Sequence, residues 1–335
     1  MTIQFLKLSL FLLEKQRVYW ETEAFMGKLS PYLYLLPATV ILLLFRFIPI
    51  VLSFVISFFE WTITGPAGFI GLENYQLMMH DPEYWQSMLN TFYLVIFVVP
   101  TTVILSLVFA ALLNTASFLR GLFRTVYFIP TVTSMVAVSI VWRTIFNQQS
   151  GLANFLLEKI GIAPLGWLAE SDGIFHLLFQ NLGINLPAAL GGPSLALFAI
   201  IIVTVWKSTG YNAIIYLAGL QNIPRVYYEA ADIDGASKVK QFFKITLPLI
   251  SPTTFYVLIM TTIVTFQVFA QVYMMTGPPI GGPLGTTKVI VYYIFEQGFG
   301  EAQNLSYASA IALVLFLIIL ILTIIQKRME KFVHY

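Results

Sequence analysis

Residues Gln221–Leu249 read QNIPRVYYEAADIDGASKVKQFFKITLPL, a stretch of mixed charge between two long apolar runs. Pro224 suits the first turn of a helix, where a missing N–H costs nothing. Arg225–Asp234 contains good helix formers. Gly235 can take the left-handed conformation that ends a helix. Ser237 can cap the next helix, which runs toward Pro248. The stretch therefore predicts two short helices joined by a sharp turn. The small residues Ala230, Ala231, Gly235 and Ala236 would let that turn approach a partner closely. The plainer reading is a solvated connecting loop.

The flanking sequence decides between a soluble and a membrane protein. Of the 335 residues, 58% are hydrophobic and 10% charged, against about 25% charged in a soluble domain. Lipid can cover so much apolar surface, whereas a soluble fold of this size cannot. Six runs reach the roughly 20 residues that a bilayer-crossing helix needs. They lie at about 31–59, 89–113, 122–146, 194–217, 250–276 and 307–326, within a transmembrane domain of residues 31–330. The runs are continuous, not alternating, which excludes a barrel. The predicted fold is an all-α membrane protein of six transmembrane helices, with residues 331–335 as a tail. In residues 1–30, Ile3–Leu13 is apolar but interrupted by Lys7 and followed at once by Glu14, Lys15 and Arg17. With no small-residue cleavage site, this segment reads as a helix on the membrane surface and not as a signal peptide.

Basic residues set the orientation. The N-terminus, the loops between spans two and three and between four and five, and the C-terminus hold Lys7, Lys15, Arg17, Lys28, Arg120, Arg124, Arg225, Lys238, Lys240, Lys244, Lys327, Arg328 and Lys331. The other loops hold Lys159 and Lys288, with Arg143 near a membrane edge, while Arg46 and Lys207 fall within spans. Both termini are thus expected in the cytoplasm. Trp61, Tyr84, Trp85, Trp142 and Trp167 sit near the expected interfaces, where amphipathic rings are favoured. There is no cysteine, and the three histidines are far apart, so a thiolate or histidine metal site is not expected.

Glu229-Ala230-Ala231, Asp234-Gly235-Ala236 and Ile245-Thr246-Leu247-Pro248 resemble the EAA loop of binding-protein-dependent ABC importers. Further stretches resemble the sugar-permease branch, akin to the first permease subunits for maltose, glycerol-3-phosphate and related glycosides. These include Phe47-Ile48-Pro49, Gly71-Leu72-Glu73-Asn74-Tyr75, Phe128-Ile129-Pro130-Thr131, Trp142-Arg143 and Gly151-Leu152-Ala153-Asn154. The resemblance implies a type I ABC importer permease in the inner membrane of a bacterium or archaeon. In it the loop 221–248 is a cytoplasmic coupling helix seated in a cleft of an ATPase, with Glu229, Ala230, Ala231, Asp234, Gly235 and Pro248 at the contact. It also implies a second homologous permease, two ATP-binding subunits and an extracytoplasmic solute-binding protein. ATP and Mg would be bound by the partner ATPase and no cofactor by this chain, which has no Gly-x-x-x-x-Gly-Lys-Ser/Thr loop. The loops around Asp172–Gly192 and after Met275 look longer than in typical relatives.

Polar groups at membrane depth are costly and are read first as functional. Lys207 lies beside Trp206, Ser208 and Tyr211, positions that the resemblance sets near the solute pocket. Either Lys207 contacts solute, or it pairs with a carboxylate or helix end across a subunit interface. Thr265, Gln267 and Gln271 are candidates to line the path, the two glutamines four apart on one face, although threonines also bond their own helix backbone. The expected solute is a sugar, oligosaccharide, glycosyl-polyol or glycerol-phosphate. A self-sufficient secondary transporter or channel would need acidic sites within the spans, and Glu60 and Glu296 lie only at their edges. A membrane enzyme would need a His, Asp, Glu or Cys constellation at that depth, which the sequence does not offer. No nucleic acid is expected as a partner.

Overall fold

The structure, a computed structural model, describes residues 30–62, 65–115, 121, 129–180, 183–184, 187, 190–277 and 280–332. The expected surface helix before Ser30, the expected start of the third span at 122–128, and the tail residues 333–335 lie outside the described residues. The chain divides after Ile56 into two compact units.

The first unit contributes α1 (Ser30–Ile56), a 27-residue helix with mean hydropathy 2.6 in its most apolar window. It is apolar over most of its surface, with Thr39, Arg46 and Ser53 at seven-residue spacing on one face. Leu43–Phe47 form a π turn in which the Ile48 N–H donates to the Leu43 carbonyl. Pro49 follows two residues later. A proline ring crowds the carbonyl four residues back, and the wider turn relieves that clash.

The second unit opens with a hairpin, β1 (Phe59–Thr62) against β2 (Gly65–Phe69), pairing Phe59 with Phe69 and Thr62 with Gly65. The sequence reading had carried the first span to residue 59; the helix instead ends at Ile56 and the chain turns into this hairpin. The Trp61 N–H donates to Ser306 Oγ at 2.6 Å and ties the hairpin to the last helix. After α2 (Glu73–His80), Asp81 accepts the N–H groups of Glu83 and Tyr84 and starts α3 (Pro82–Thr115). Its 34 residues make a rod of about 51 Å, longer than the ~30 Å hydrocarbon layer.

Then follow α4 (Met135–Ile145), α5 (Leu152–Lys159), α6 (Ile174–Gln180) and α7 (Leu195–Gln221), the last capped by Ser194 Oγ, which accepts the Leu197 N–H at 3.0 Å. Buried Asn154 holds the loop around α5. Its amide donates to the Gln148 and Leu165 carbonyls, and its oxygen accepts from Leu165 N and Trp167 Nε1. The chain continues through α8 (Val226–Ile233), α9 (Lys238–Leu249), α10 (Ser251–Phe266) and α11 (Ala270–Met275) to α12 (Ile290–Phe299) and α13 (Leu305–Arg328). Near the start of α12, Lys288 Nζ bonds Glu296 at 2.6 Å and Glu83 at 3.0 Å, so it joins α12 to the start of α3. Burial pulls the Lys288 ammonium down, but these two carboxylates outweigh it and hold its pKa above the ordinary value.

Among the described residues, four helices are long and apolar enough to cross a membrane: α1, α3, α7 and α13. The pair α9 and α10, bent by 64°, makes a fifth if taken as one span. The described residues therefore do not confirm the expected count of six. The helix of the third run is 11 residues long, about 16 Å, half a bilayer. The fifth run breaks twice, at Ile250 and at Gln267–Phe269.

The packing axis is α3 against α7. Leu94, Val98, Leu197 and Ile200 are almost fully buried at one end, and Ala110, Tyr216 and Ile250 at the other. Small residues permit the closest crossings, as is usual between helices in lipid. A Cβ built on Gly219 of α7 would stand 2.5 Å from Thr253 Oγ1 and 2.7 Å from Ile250 Cδ1, both at the start of α10. Gly219→Val should therefore force α10 off α7 and lower stability by about 1–3 kcal/mol. Thermal unfolding of the purified protein in detergent would measure it, and an unchanged midpoint would refute the close crossing.

Candidate functional site: a membrane-depth cavity and an exposed hairpin

The quoted loop folds as a clipped hairpin. The Asp234 N–H donates to the Ala230 carbonyl, Gly235 takes φ 71°, and the Ala236 N–H returns to the Ala231 carbonyl at 2.9 Å. Ser237 Oγ accepts the Lys240 N–H at 3.4 Å and starts α9. Asp232 holds the two helices together: Lys238 Nζ donates to it at 2.8 Å and Gln241 Nε2 at 2.5 Å. These bonds, Lys238 foremost, hold the Asp232 carboxyl below its ordinary 3.8. A carboxyl lowered on folding adds stability above its unfolded pKa and loses it only as pH falls through the folded one. The clip is therefore constant across physiological pH. Deeper in the hairpin the Tyr228 hydroxyl bonds Thr246 Oγ1 at 2.8 Å. A second π turn, Phe242–Thr246, precedes Pro248 just as the first precedes Pro49.

The hairpin presents an apolar surface to solvent. Ile233 is 87% exposed and Val239 68%, with Val226, Tyr227 and Phe243 also exposed. Glu229, Ala230, Asp234 and Gly235 lie on the exposed hairpin, while Ala231 and Pro248 are half-buried. A Cβ on Gly235 would meet nothing within 4 Å, so glycine is needed there for its backbone conformation and not for space.

The second feature is a cavity of about 480 Å³ midway along α7. Lys207, Ser208, Tyr211 and Asn212 line it from α7, Thr261 and Thr265 from α10, and Gln271 from α11. Five of the seven residues that the sequence picked out for a path thus share one cavity. Trp206 does not line it. Its ring faces a separate apolar cavity of about 530 Å³ with Phe97, Leu105 and Phe198, and it packs edge-on against Trp142 at 5.6 Å. Successive residues of a helix point about 100° apart, which turns Trp206 away from Ser208.

Gln267 is also outside the cavity. The two glutamines were expected on one helix face, but α10 ends at Phe266 and α11 begins at Ala270. The Gln267 N–H bonds the Val264 carbonyl three residues back, and Phe269 leaves helical geometry at φ −139°, ψ −56°. This break turns Gln267 to the exposed side and Gln271 into the cavity. Thr265 lines the cavity, yet its hydroxyl donates to the Thr261 carbonyl at 2.6 Å, the backbone use that threonine often has. Thr262 faces elsewhere and accepts from Gln326 of α13 at 3.0 Å.

Lys207 Nζ donates to the Thr133 carbonyl at 2.6 Å. Thr133 and Ser134 interrupt the helical path into α4, so the lysine meets a helix end within this chain and not, as the second reading expected, across a subunit interface. Asn212 is the residue the sequence reading missed. It is buried, lines the cavity and donates to Thr261 Oγ1 at 3.3 Å. The signal was present: Ser208 and Asn212 are four apart, one turn along the same helix face.

An exposed small-residue hairpin, a polar cavity midway along α7 and broken spans now stand together. Residues 67–335 match the family described as the binding-protein-dependent transport system inner membrane component. The chain is a member of that family. The permease is 35% identical over 308 residues to the probable ABC transporter permease protein YurN of Bacillus subtilis, covering 91% of this chain and 97% of that one. It is 33% identical over 302 residues to the trehalose/maltose transport system permease protein MalF of Thermococcus litoralis, covering 90% and 93%. Its fold matches a chain of a bacterial ABC transporter involved in the import of the acidic polysaccharide alginate, with TM-score 0.73, 22% identity and coverage of 91% and 96%. The permease is thus a membrane-embedded, non-catalytic transport component of the type I ABC importer fold. The self-sufficient transporter and the membrane enzyme are set aside by this membership.

Two outcomes follow from the cavity of the permease. Gln271→Ala should impair uptake by the assembled transporter far more than Gln267→Ala, and equal losses in a vesicle uptake assay would contradict the break between α10 and α11. Lys207→Met should lower thermal stability in detergent by about 0.5–1.5 kcal/mol, the net worth of the hydrogen bond it removes from the Thr133 carbonyl.

Proposed function

We propose that this permease forms one half of the translocation path of an ATP-driven importer for a carbohydrate-like solute: a sugar, oligosaccharide, glycosyl-polyol or glycerol-phosphate. The observation that carries this reading is the composition of the Lys207 cavity. Ammonium, amide and hydroxyl groups stand there beside the rings of Tyr211 and Tyr256. Hydroxyl-rich solutes need both donors and acceptors, and sugar rings stack their apolar faces on aromatic ones. The sugar named for the Thermococcus relative supports the same class.

The permease would pair with a second, homologous one. Tyr211 is 56% exposed at the middle of a span, next to Lys207 and Ser208. Polar side chains at that depth face protein or water and not hydrocarbon, so another subunit is the natural cover. With both termini in the cytoplasm, the α8–α9 hairpin meets one of two ATP-binding subunits, which hold ATP and Mg. Glu229, Ala230, Ala231, Asp234 and Gly235 form the contact, and Pro248 sets the bend behind it. An extracytoplasmic solute-binding protein delivers solute to the other face. ATP-driven closure of the ATPases shifts the spans between inward- and outward-facing states, a two-state bundle biased by its ligands.

The hairpin is the point of test. Gly235→Val puts a branched side chain at φ 71°, a conformation costing about 1–2 kcal/mol for a non-glycine residue. Uptake by the complete importer should fall about tenfold or more, equivalent to ~1.4 kcal/mol of lost coupling, while the isolated permease stays folded, its unfolding midpoint lowered by no more than that strain. Because the chain has no cysteine, Ile233→Cys offers a second reading: it should cross-link to a cysteine in the ATPase cleft. Normal uptake by Gly235→Val together with no cross-link would sink the coupling assignment.

A further inference from the structure

A third cavity, of about 410 Å³, lies toward the other end of α7 from the hairpin. Gly282, in its lining, belongs to the loop that meets the start of α7, where Ser194 Oγ donates to the Thr286 carbonyl at 3.4 Å. The hairpin follows the far end of α7, 27 residues on, about 40 Å away. Arg143, Asn147, Gln148 and Gln149 line this cavity from the end of α4 and the turn after it, and Met275, Thr276 and Gly277 from the end of α11. No residue of the sequence reading was assigned to it.

Its chemistry is that of a polyol site. Arg143 donates one N–H to the Gly277 carbonyl at 2.6 Å and pairs with no carboxylate among the described residues. A guanidinium carries five N–H groups, so donors remain for a ligand. The side-chain amides of Gln148 and Gln149 have no hydrogen-bond partner among the described residues and supply both donors and acceptors. The volume falls within the ~300–1,000 Å³ of small-molecule sites. The apolar cavity beside Trp206 is different. Its polar side chains are Thr101 and Thr209, and Thr209 already donates to the Val205 carbonyl at 2.7 Å.

The polar cavities share two walls. On α4, Met135 lines the Lys207 cavity and Arg143 the outer one, eight residues apart, or about 12 Å. On α11, Gln271 lines the first and Met275 the second, about 6 Å apart. Between them on the same helices, Val138 and Val272 are buried in one packed core with Phe146. The arrangement is two polar chambers in series, separated by an apolar layer.

We propose that the Arg143 cavity is a second solute station, at which the hydroxyls of a glycosyl ligand are held on the outer side before it enters the Lys207 cavity. This rests on the carbohydrate reading above. Single-cysteine variants of the cysteine-free chain test it in the complete importer in nanodiscs, where both faces are open, with the binding protein omitted. Gln149→Cys, with Gln148→Cys as a second variant, reports the outer cavity. Ser208→Cys reports the inner one, and exposed Lys159→Cys lies outside both. Each is labelled with a sulfonatoethyl thiol reagent in the presence of maltose, lactose or arabinotriose. The expected result is that a sugar which slows labelling of Ser208→Cys also slows the outer-cavity cysteines, by about fivefold for a ligand at about four times its Kd, and leaves Lys159→Cys unchanged. Protection of Ser208→Cys with the outer cysteines unaffected would overturn the second station and leave the carbohydrate reading intact. If no sugar protects Ser208→Cys or is taken up when a binding protein is supplied, the carbohydrate reading falls and the station with it.

Discussion

Hydrocarbon cannot hydrogen-bond a peptide group, so every interruption of a helix at membrane depth must find its partners in protein or water. This constraint organises the molecule. The chain breaks helical geometry at Thr133–Ser134, at Ile250 and at Gln267–Phe269. The first break is held by the Lys207 ammonium on the Thr133 carbonyl. The third is closed by short-range turns at Gln267 and Val268. The first and third lie beside the cavity that collects Lys207, Asn212 and Gln271. Irregular backbone and polar cavity are thus one feature: each gives the other a place at that depth.

The same economy governs the prolines. Pro49 and Pro248 each sit just beyond a π turn, which widens the helix where the ring would strike a carbonyl. In α10, Pro252 lies in the first turn, where its missing N–H is not needed. The 64° bend at Ile250 then redirects the chain from the exposed hairpin into the membrane. A push on α8 would reach α10 through two rigid contacts, the Asp232–Lys238–Gln241 clip and the Tyr228–Thr246 bond. α10 in turn leans on Gly219 of α7 and carries Thr261 and Thr265 into the cavity. Hairpin and cavity are therefore linked by a continuous series of contacts.

Much of this was written in the local sequence. Apolar run length set the membrane class, and Pro224, Gly235 and Ser237 determined the hairpin, because a turn that needs φ 71° and a hydroxyl cap is specified by neighbours in the chain. The polar face of α7 was legible in Lys207, Ser208 and Tyr211 because helical spacing alone puts them close together.

What only the tertiary structure decided is where helices stop within an apolar run. Composition cannot distinguish one 27-residue span from α10, a break and α11, since the break goes with the packing of Val268, Val272 and Met275 into one core with residues of α4 and α7. That is why Gln267 left the cavity while Gln271 and the unsuspected Asn212 entered it. It is also why Arg143, Gln148 and Gln149, which the sequence did not assign to a path, came to face the end of α11 across a cavity. Local sequence dictates turns and periodicity; packing between distant segments dictates which polar groups share a space.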